Sequence, residues 1–227
     1  DHLAAIIFTQ GCNFRCHFCY NPMLVLPHKG EDEKNIKEKG FSELSTKNLF
    51  LFLRERFGRL DGVVITGGEP TLHPDLPEFI KKIKKICYDV KLDTNGTNPD
   101  MLNQLIKEKL IDYIAMDLKA PKEKYEATVN VSVNYKNLEK SVKMIIKSGL
   151  PHEFRTTVVP GLLDKKDFIK MGEMITGTQN WFLQVFKSDT DLVNSAYKGK
   201  KAYSRKQMQE FVELGRTAAG VCKLRDY

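Results

Sequence analysis

A chain of 227 residues, 41% hydrophobic and 29% charged, can bury a sizeable core and lies in the size range where an α/β barrel or doubly wound sheet forms one domain. No apolar run approaches the roughly 18 residues of a membrane span. Five cysteines, three of them clustered, argue against a disulfide framework and for a reducing cytoplasm. The formal charge of +7 is spread along the chain as a solvated surface that favours anionic partners, without the aromatic–basic interleaving of RNA-binding segments.

Leu3–Phe8 is apolar, too short and without the basic flank of a signal peptide, and it reads as the first strand. Directly after it, Gly11-Cys12-Asn13-Phe14-Arg15-Cys16-His17-Phe18-Cys19 has the form Cys-x3-Cys-x2-Cys. Three thiolates at this spacing can hold three irons of a 4Fe–4S cube and leave the fourth iron open to a substrate. Two other readings stand beside that one. The spacing i, i+4, i+7 is also a helical stripe of packed thiols, which Gly11, Asn13 and Pro22 oppose. The other is a structural zinc completed by His17, Cys87 or Cys222, in a zinc- or nucleic-acid-binding module without catalysis. Met23–Ser45 is polar, interrupted by Pro27, Gly30 and Gly40, and reads as a loop excursion beside the cysteines.

Regular structure resumes at a helix over Thr46–Phe57, capped by Ser45, with Leu49, Phe50, Leu53 and Phe57 on one face. Gly62–Thr66 is the second strand. Asp75-Leu76-Pro77-Glu78 has the form of a capping box before a helix carrying Phe79, Ile80, Ile83 and Ile86. A strand near Val90–Leu92, a helix opened by Asn98-Pro99 and a strand at Tyr113–Met116 follow. Then come a helix with Leu138, Val142, Ile145 and Ile146 that stops at Gly149, a strand at Glu153–Val159 and a helix over Lys165–Ile175. Trp181–Phe186 is the sixth strand, Ser204-x-x-Gln207 caps the last helix, and Val221–Leu224 is a possible edge strand. Cys87 and Cys222 read as packed structural thiols.

Six successive strand–helix units predict a parallel α/β sheet with right-handed crossovers, too short for a closed eightfold barrel. The expected fold is therefore an open, partial (β/α)6 TIM-type barrel spanning 1–227 as one domain, with 187–227 as its closing loop, helix and tail. In such folds ligands sit at the carboxyl ends of the strands. Those ends carry the cysteines, Gly67-Gly68-Glu69-Pro70, Asp93-Thr94-Asn95-Gly96, Asp117-Leu118-Lys119 and Val158-Val159-Pro160-Gly161, with Arg155 inside the fifth strand. Gly67 and Gly68 either bring backbone close to a ligand or make a sharp turn. Asp93 and Asp117 are either a cation or ligand site or two solvated caps.

These blocks, with Phe18 before the last cysteine, resemble the radical S-adenosylmethionine enzymes over nearly the whole chain, and within them the activases of glycyl radical enzymes. The resemblance implies that Cys12, Cys16 and Cys19 bind a single 4Fe–4S cluster whose fourth iron is chelated by S-adenosylmethionine. Phe18 would lie beside that site, and Gly67, Gly68 and Glu69 would hold the cosubstrate's amino group. Asp93, Thr94, Asn95 and Asp117 would form a polar group, with a monovalent cation near Asp93 and Asp117. Lys119 and Arg155 would contact carboxylate or ribose, and Val159 would offer backbone on the adenine side. Tyr20 departs from the histidine that related activases often carry directly after the last cysteine. The likeness is greatest to activases of the anaerobic ribonucleoside-triphosphate reductase, which is the implied glycyl radical partner, with a flavodoxin- or ferredoxin-type electron donor; a partner of the pyruvate formate-lyase type, or another radical SAM reaction, is the alternative. Neither membrane nor nucleic acid is expected as a partner. The excursion at Met23–Ser45 is the expected docking element.

Overall fold

The computed structural model describes residues 2–25 and 44–225. Seven strands form one sheet: β1 (Ala4–Thr9), β2 (Gly62–Gly67), β3 (Asp89–Thr94), β4 (Tyr113–Asp117), β5 (His152–Val158), β6 (Thr178–Val185) and β7 (Ala219–Arg225). Their spatial order is their chain order, and every neighbouring pair is parallel. The tail predicted as an edge strand is thus a full seventh strand, bonded to β6 from Thr178↔Ala219 to Gln184↔Arg225. Among the described residues β1 and β7 are edges and the sheet is open.

This order decides where the helices lie. A right-handed crossover repeated always in one direction puts each connecting helix on the same side of the sheet. The helices that follow the strands are α1 (Pro22–Val25), α2 (Thr46–Glu55), α3 (Leu76–Lys84), α4 (Pro99–Lys107), α5 (Tyr125–Val129), α6 (Tyr135–Lys147), α7 (Lys165–Met174) and α8 (Arg205–Gly215). Strand residues alternate accordingly. Ile65, Leu92, Ile114, Met116, Phe154 and Leu183 are buried in the core with Leu53, Ile80, Ile83, Leu105 and Leu138 of the helices. Each such side chain stabilises the fold by about 1.5–3 kcal/mol relative to exposure. The intervening residues, Phe8, Thr66, Asp93 and Arg155 among them, face the opposite side of the sheet and line one cavity.

Helix starts follow the predicted chemistry with one exception. Ser45 accepts from the Asn48 N–H, Asn98 from the Met101 N–H, and Ser204 with Gln207 closes a reciprocal capping box. Asp75 makes no side-chain cap bond. Pro77 in that first turn has no N–H to be capped, so a bond from Asp75 is less needed there. Met23–Val25, the start of the expected loop excursion, form a helical turn with Pro22; residues 26–43 of that excursion lie outside the described residues. Helix α5 went unpredicted because five residues are too few to display a 3.6-residue period.

At the far end, Trp181 stacks on Phe168 with ring centroids 4.4 Å apart, and Phe211 of α8 leans on the same ring at 5.1 Å. Gly215 lets α8 settle there, since a Cβ at that position would overlap the Cys222 sulfur. Cys222 is therefore a packed thiol as expected, whereas Cys87 is exposed, with a positive φ just beyond α3. No described helix is long and apolar enough to cross a membrane.

Candidate active site

The carboxyl ends of the strands surround a cavity of about 590 Å³, within the usual range for small-molecule sites. The loop after β1 forms one wall and is not helical, so the helical-stripe reading of the cysteines fails. It is held instead by bonds from neighbouring segments. The Gly11 N–H donates to the Leu24 carbonyl and the Arg15 N–H to the Val129 carbonyl of α5, each at 2.8 Å. The Arg15 guanidinium folds back on the Cys12 and Phe14 carbonyls at 2.6 and 2.7 Å, and Phe14 packs edge-on against Tyr125. In this arrangement Cys12, Cys16 and Cys19 all line the cavity, with Phe18 and Tyr20.

The loop after β2 presses on the stem of the cysteine loop. The Gly68 N–H donates to the Thr9 carbonyl and the Glu69 N–H to the Gly11 carbonyl, both at 2.8 Å. Gly67 has φ +114°, and a Cβ on Gly68 would overlap the Gly11 carbonyl oxygen. The close approach that these glycines permit is thus to backbone of this chain. Gly68→Ala is expected to push the two loops apart: thermal unfolding of the variant falls by several degrees, as about 1–3 kcal/mol of overpacking would cause.

Glu69 is almost fully buried and ties the second loop to the third. Its Oε1 accepts from the Thr71 N–H at 3.1 Å, the Thr71 hydroxyl at 2.5 Å and the Thr94 hydroxyl at 2.7 Å, while Oε2 accepts from the Asn95 N–H at 2.6 Å. Burial pushes its carboxyl up, and the bonds from Thr71, Asn95 and Thr94 oppose that. With about two lone-pair sites per oxygen, Oε2 retains one for a further donor.

Across the cavity face of the sheet runs a row of ion pairs. Arg155 donates from Nε to Asp117 Oδ1 at 2.8 Å and from Nη1 to Asp93 Oδ2 at 2.9 Å. Lys119 reaches Asp117 Oδ2 at 2.9 Å, and Lys91 lies 3.0 Å from Asp93 Oδ1. The position between Asp93 and Asp117, considered above for a monovalent cation, is spanned by the Arg155 guanidinium. Burial raises Asp117, but the charges of Arg155 and Lys119 outweigh it and hold the carboxyl well below its ordinary range. Val159 stands apart from the cavity lining: its side chain is in the core, and its carbonyl accepts from the Leu162 and Leu163 N–H groups.

The sequence reading missed the continuation of this row. Glu153 accepts from Tyr113 and Arg225 at 3.1 Å each and lies 3.5 Å from Lys91, while Lys91, Thr157 and Arg225 line the cavity. A signal was available: Lys91 and Glu153 precede Asp93 and Arg155 by two residues, and residues two apart on a strand share a face.

The donor set fits an iron–sulfur cube. Burial pushes all three thiols up, Cys16 to about 12, with Lys119 the nearby cation that opposes the shift. Buried neutral thiols that share one cavity become thiolates when a metal supplies the charge. Among the described residues, none of the fourth ligands considered for zinc lines the cavity with the three cysteines. His17 is turned to Asn194, Cys87 and Cys222 lie outside the cavity lining, and no three His, Cys, Asp or Glu side chains among the described residues converge on one ion.

A sequence profile of the radical SAM superfamily matches residues 6–174. The chain belongs to that superfamily. As a radical SAM enzyme it is 34% identical over 81% of its length to a Methanocaldococcus jannaschii protein named for glycyl-radical enzyme activation, covering 73% of that protein. It is 30% identical over 78% of its length to the pyruvate formate-lyase-activating enzyme of Staphylococcus epidermidis, covering 71% of it. The structure of Streptococcus suis SuiB bound to S-adenosylmethionine superposes on 99% of the chain with a TM-score of 0.71 at 16% identity, and the chain spans 51% of that protein. The SuiB likeness is one of fold. Membership in the radical SAM superfamily implies a 4Fe–4S cluster and S-adenosylmethionine.

Proposed function

We propose that this radical SAM enzyme is a cytoplasmic activase that generates a glycyl radical on a partner enzyme. The observation that carries the reading is the convergence of Cys12, Cys16 and Cys19 on one cavity with Glu69, Arg155 and Lys119. The names of the M. jannaschii and S. epidermidis relatives support the activase class. When bound, the cluster and S-adenosylmethionine would supply one-electron cleavage of the sulfonium and abstraction of a hydrogen atom from a glycine Cα.

The chain's own residues hold and orient. Cys12, Cys16 and Cys19 would bind three irons, and Lys119 lowers the electrostatic cost of gathering three thiolates in one wall. The free lone-pair site of Glu69 Oε2 is the acceptor for an ammonium, with Gly67 and Gly68 beside it. Arg155 serves as the resident cation between Asp93 and Asp117, which removes the need for a separate monovalent ion. Among the described residues the sheet is open between β1 and β7, an opening that would admit a polypeptide segment, and a flavodoxin- or ferredoxin-type protein would deliver the electron.

The preferred partner is the anaerobic ribonucleoside-triphosphate reductase. Activation of pyruvate formate-lyase is the second reading, favoured by the S. epidermidis relative. Anaerobic reconstitution with iron and sulfide, followed by reductant and S-adenosylmethionine, is expected to yield methionine and 5'-deoxyadenosine. Addition of each partner in turn is expected to give a glycyl radical signal in electron paramagnetic resonance with the reductase. A signal with the lyase alone would transfer the assignment to it, and absence of 5'-deoxyadenosine would overturn the enzymatic reading.

A further inference from the structure

Between β6 and α8 the chain forms a loop closed on itself and seated on the outer side of the cysteine loop. Its base is tied by Ser188: the Gly199 N–H donates to the Ser188 carbonyl at 2.8 Å and the Ser188 hydroxyl donates to the Lys200 carbonyl at 2.7 Å. Two main-chain bonds join it to the cysteine loop, from the Val193 N–H to the Cys19 carbonyl at 2.9 Å and from the Asn194 N–H to the His17 carbonyl at 3.2 Å. Leu192 beside them is buried.

Side chains repeat the connection. Asn194 Oδ1 accepts from the Ala196 N–H at 3.0 Å, which orients the amide so that Nδ2 faces His17 Nδ1 at 2.9 Å. Nδ1 is then the acceptor, and the ring proton sits on Nε2. Tyr197 stacks on the His17 ring, centroids 5.4 Å apart and planes within 4° of parallel, and Lys200 Nζ lies 3.7 Å from the Tyr197 centroid. The cavity wall that presents Cys16 and Cys19 is thereby backed by a second layer from a segment some 175 residues further along the chain.

We propose that residues 188–200 are a clasp for the cysteine loop, in which Asn194 and Tyr197 are positioning residues that act through His17 on the backbone of Cys16–Cys19. The clasp sets how firmly three thiolates are presented as one unit and how well water is kept from the outer side of a bound cluster, two of the factors that determine cluster retention and reduction potential. His17 has a structural office here between two metal-binding cysteines, which explains why it faces away from the cavity.

The test compares Asn194→Ala, Tyr197→Leu, Tyr197→Phe and His17→Phe with the native chain in two measurements. The first is hydrogen exchange at the Val193 and Asn194 amides, which requires no cluster. Loss of the ring stack should speed exchange several-fold, up to about tenfold, in Tyr197→Leu. Tyr197→Phe keeps the stack and should exchange at the native rate. The second measurement, on reconstituted protein, is the rate at which a chelator bleaches the cluster absorbance, together with the spectrum of the reduced cluster. Asn194→Ala and Tyr197→Leu should lose the cluster about tenfold faster with altered g-values, again with rescue in Tyr197→Phe.

Because Asn194 also caps the turn at 195–197, His17→Phe provides the independent arm: it retains a ring for Tyr197 but no acceptor for Asn194, and partial loosening is expected. Native exchange in both Tyr197→Leu and His17→Phe would overturn the clasp, as would a Tyr197→Phe variant as loose as Tyr197→Leu. The cluster measurement rests on the iron–sulfur reading and the exchange measurement does not. Loosened amides in a protein that takes up no iron would therefore defeat that reading and leave the clasp standing.

Discussion

Cys16→Ala is expected to reduce cluster iron to background and 5'-deoxyadenosine formation by more than about 100-fold, since even residues that merely support metal ligands contribute 10–100-fold. Cys16 is the most buried of the three cysteines, and its thiol is pushed up to about 12 by that burial. A thiol in this state gains most from a metal that takes its proton's place. Its removal would leave two of the three proposed ligands on one cavity wall, too few to retain a cube against solvent. The fold should survive, because exchange of a thiol for a methyl leaves the Arg15, Phe14 and Gly11 contacts intact and costs about 1 kcal/mol. Iron and sulfide analysis, chromatography of the nucleoside product and a thermal melt of the apo protein check this. Unchanged nucleoside production would defeat the ligand assignment.

The second large effect is expected from Arg155→Met. The guanidinium side chain is 11% exposed and answers two carboxylates, Asp93 at 12% and Asp117 at 26%. Removing one partner of a buried ion pair costs about 3–5 kcal/mol, and the partial exposure of Asp117 brings the expected loss to roughly 2–4 kcal/mol. The pH dependence follows from the direction of the Asp117 shift. Burial raises this carboxyl, but Arg155 and Lys119 lower it further, so its folded value lies below the unfolded one. Its contribution to stability is present above the ordinary carboxylate value, about 4, and is lost as pH falls through and below it. The gap between native and Arg155→Met should therefore be widest near neutrality and narrow as the pH drops below about 4. Urea unfolding at both pH values measures it; a gap independent of pH would show that Arg155 acts by packing alone.

Both residues stood out in the sequence, Cys16 by its spacing and Arg155 through the resemblance. Cys-x3-Cys-x2-Cys is a spacing within one loop, and Arg155 lies inside the strand expected at Glu153–Val159. Ser45, Asn98 and Ser204 announced helices because capping is decided within four residues. Helix α5 was too short to signal itself. Asp75 misled because a Pro-containing first turn has less need of a side-chain cap. Val159 entered the site through the resemblance, as a backbone contact; its side chain lies in the core.

What the sequence by itself determined was the alternation of strands and helices, and with it a parallel sheet whose loops after the strands gather the cysteines, Glu69, Asp93, Asp117 and Lys119 at one rim. Period, capping and crossover handedness depend on neighbours in the chain, so they are written in the sequence. The tertiary structure alone decided what each of those groups touches. Gly68 is a glycine because Gly11 passes over it, and Glu69 is held by Thr94 and Asn95, 25 and 26 residues away. Arg155 bridges carboxylates 38 and 62 residues upstream, and Asn194 meets His17 across 177. Such contacts are set by strand register and by the close packing of loops at the rim, where a shift of one residue would turn every facing side chain away.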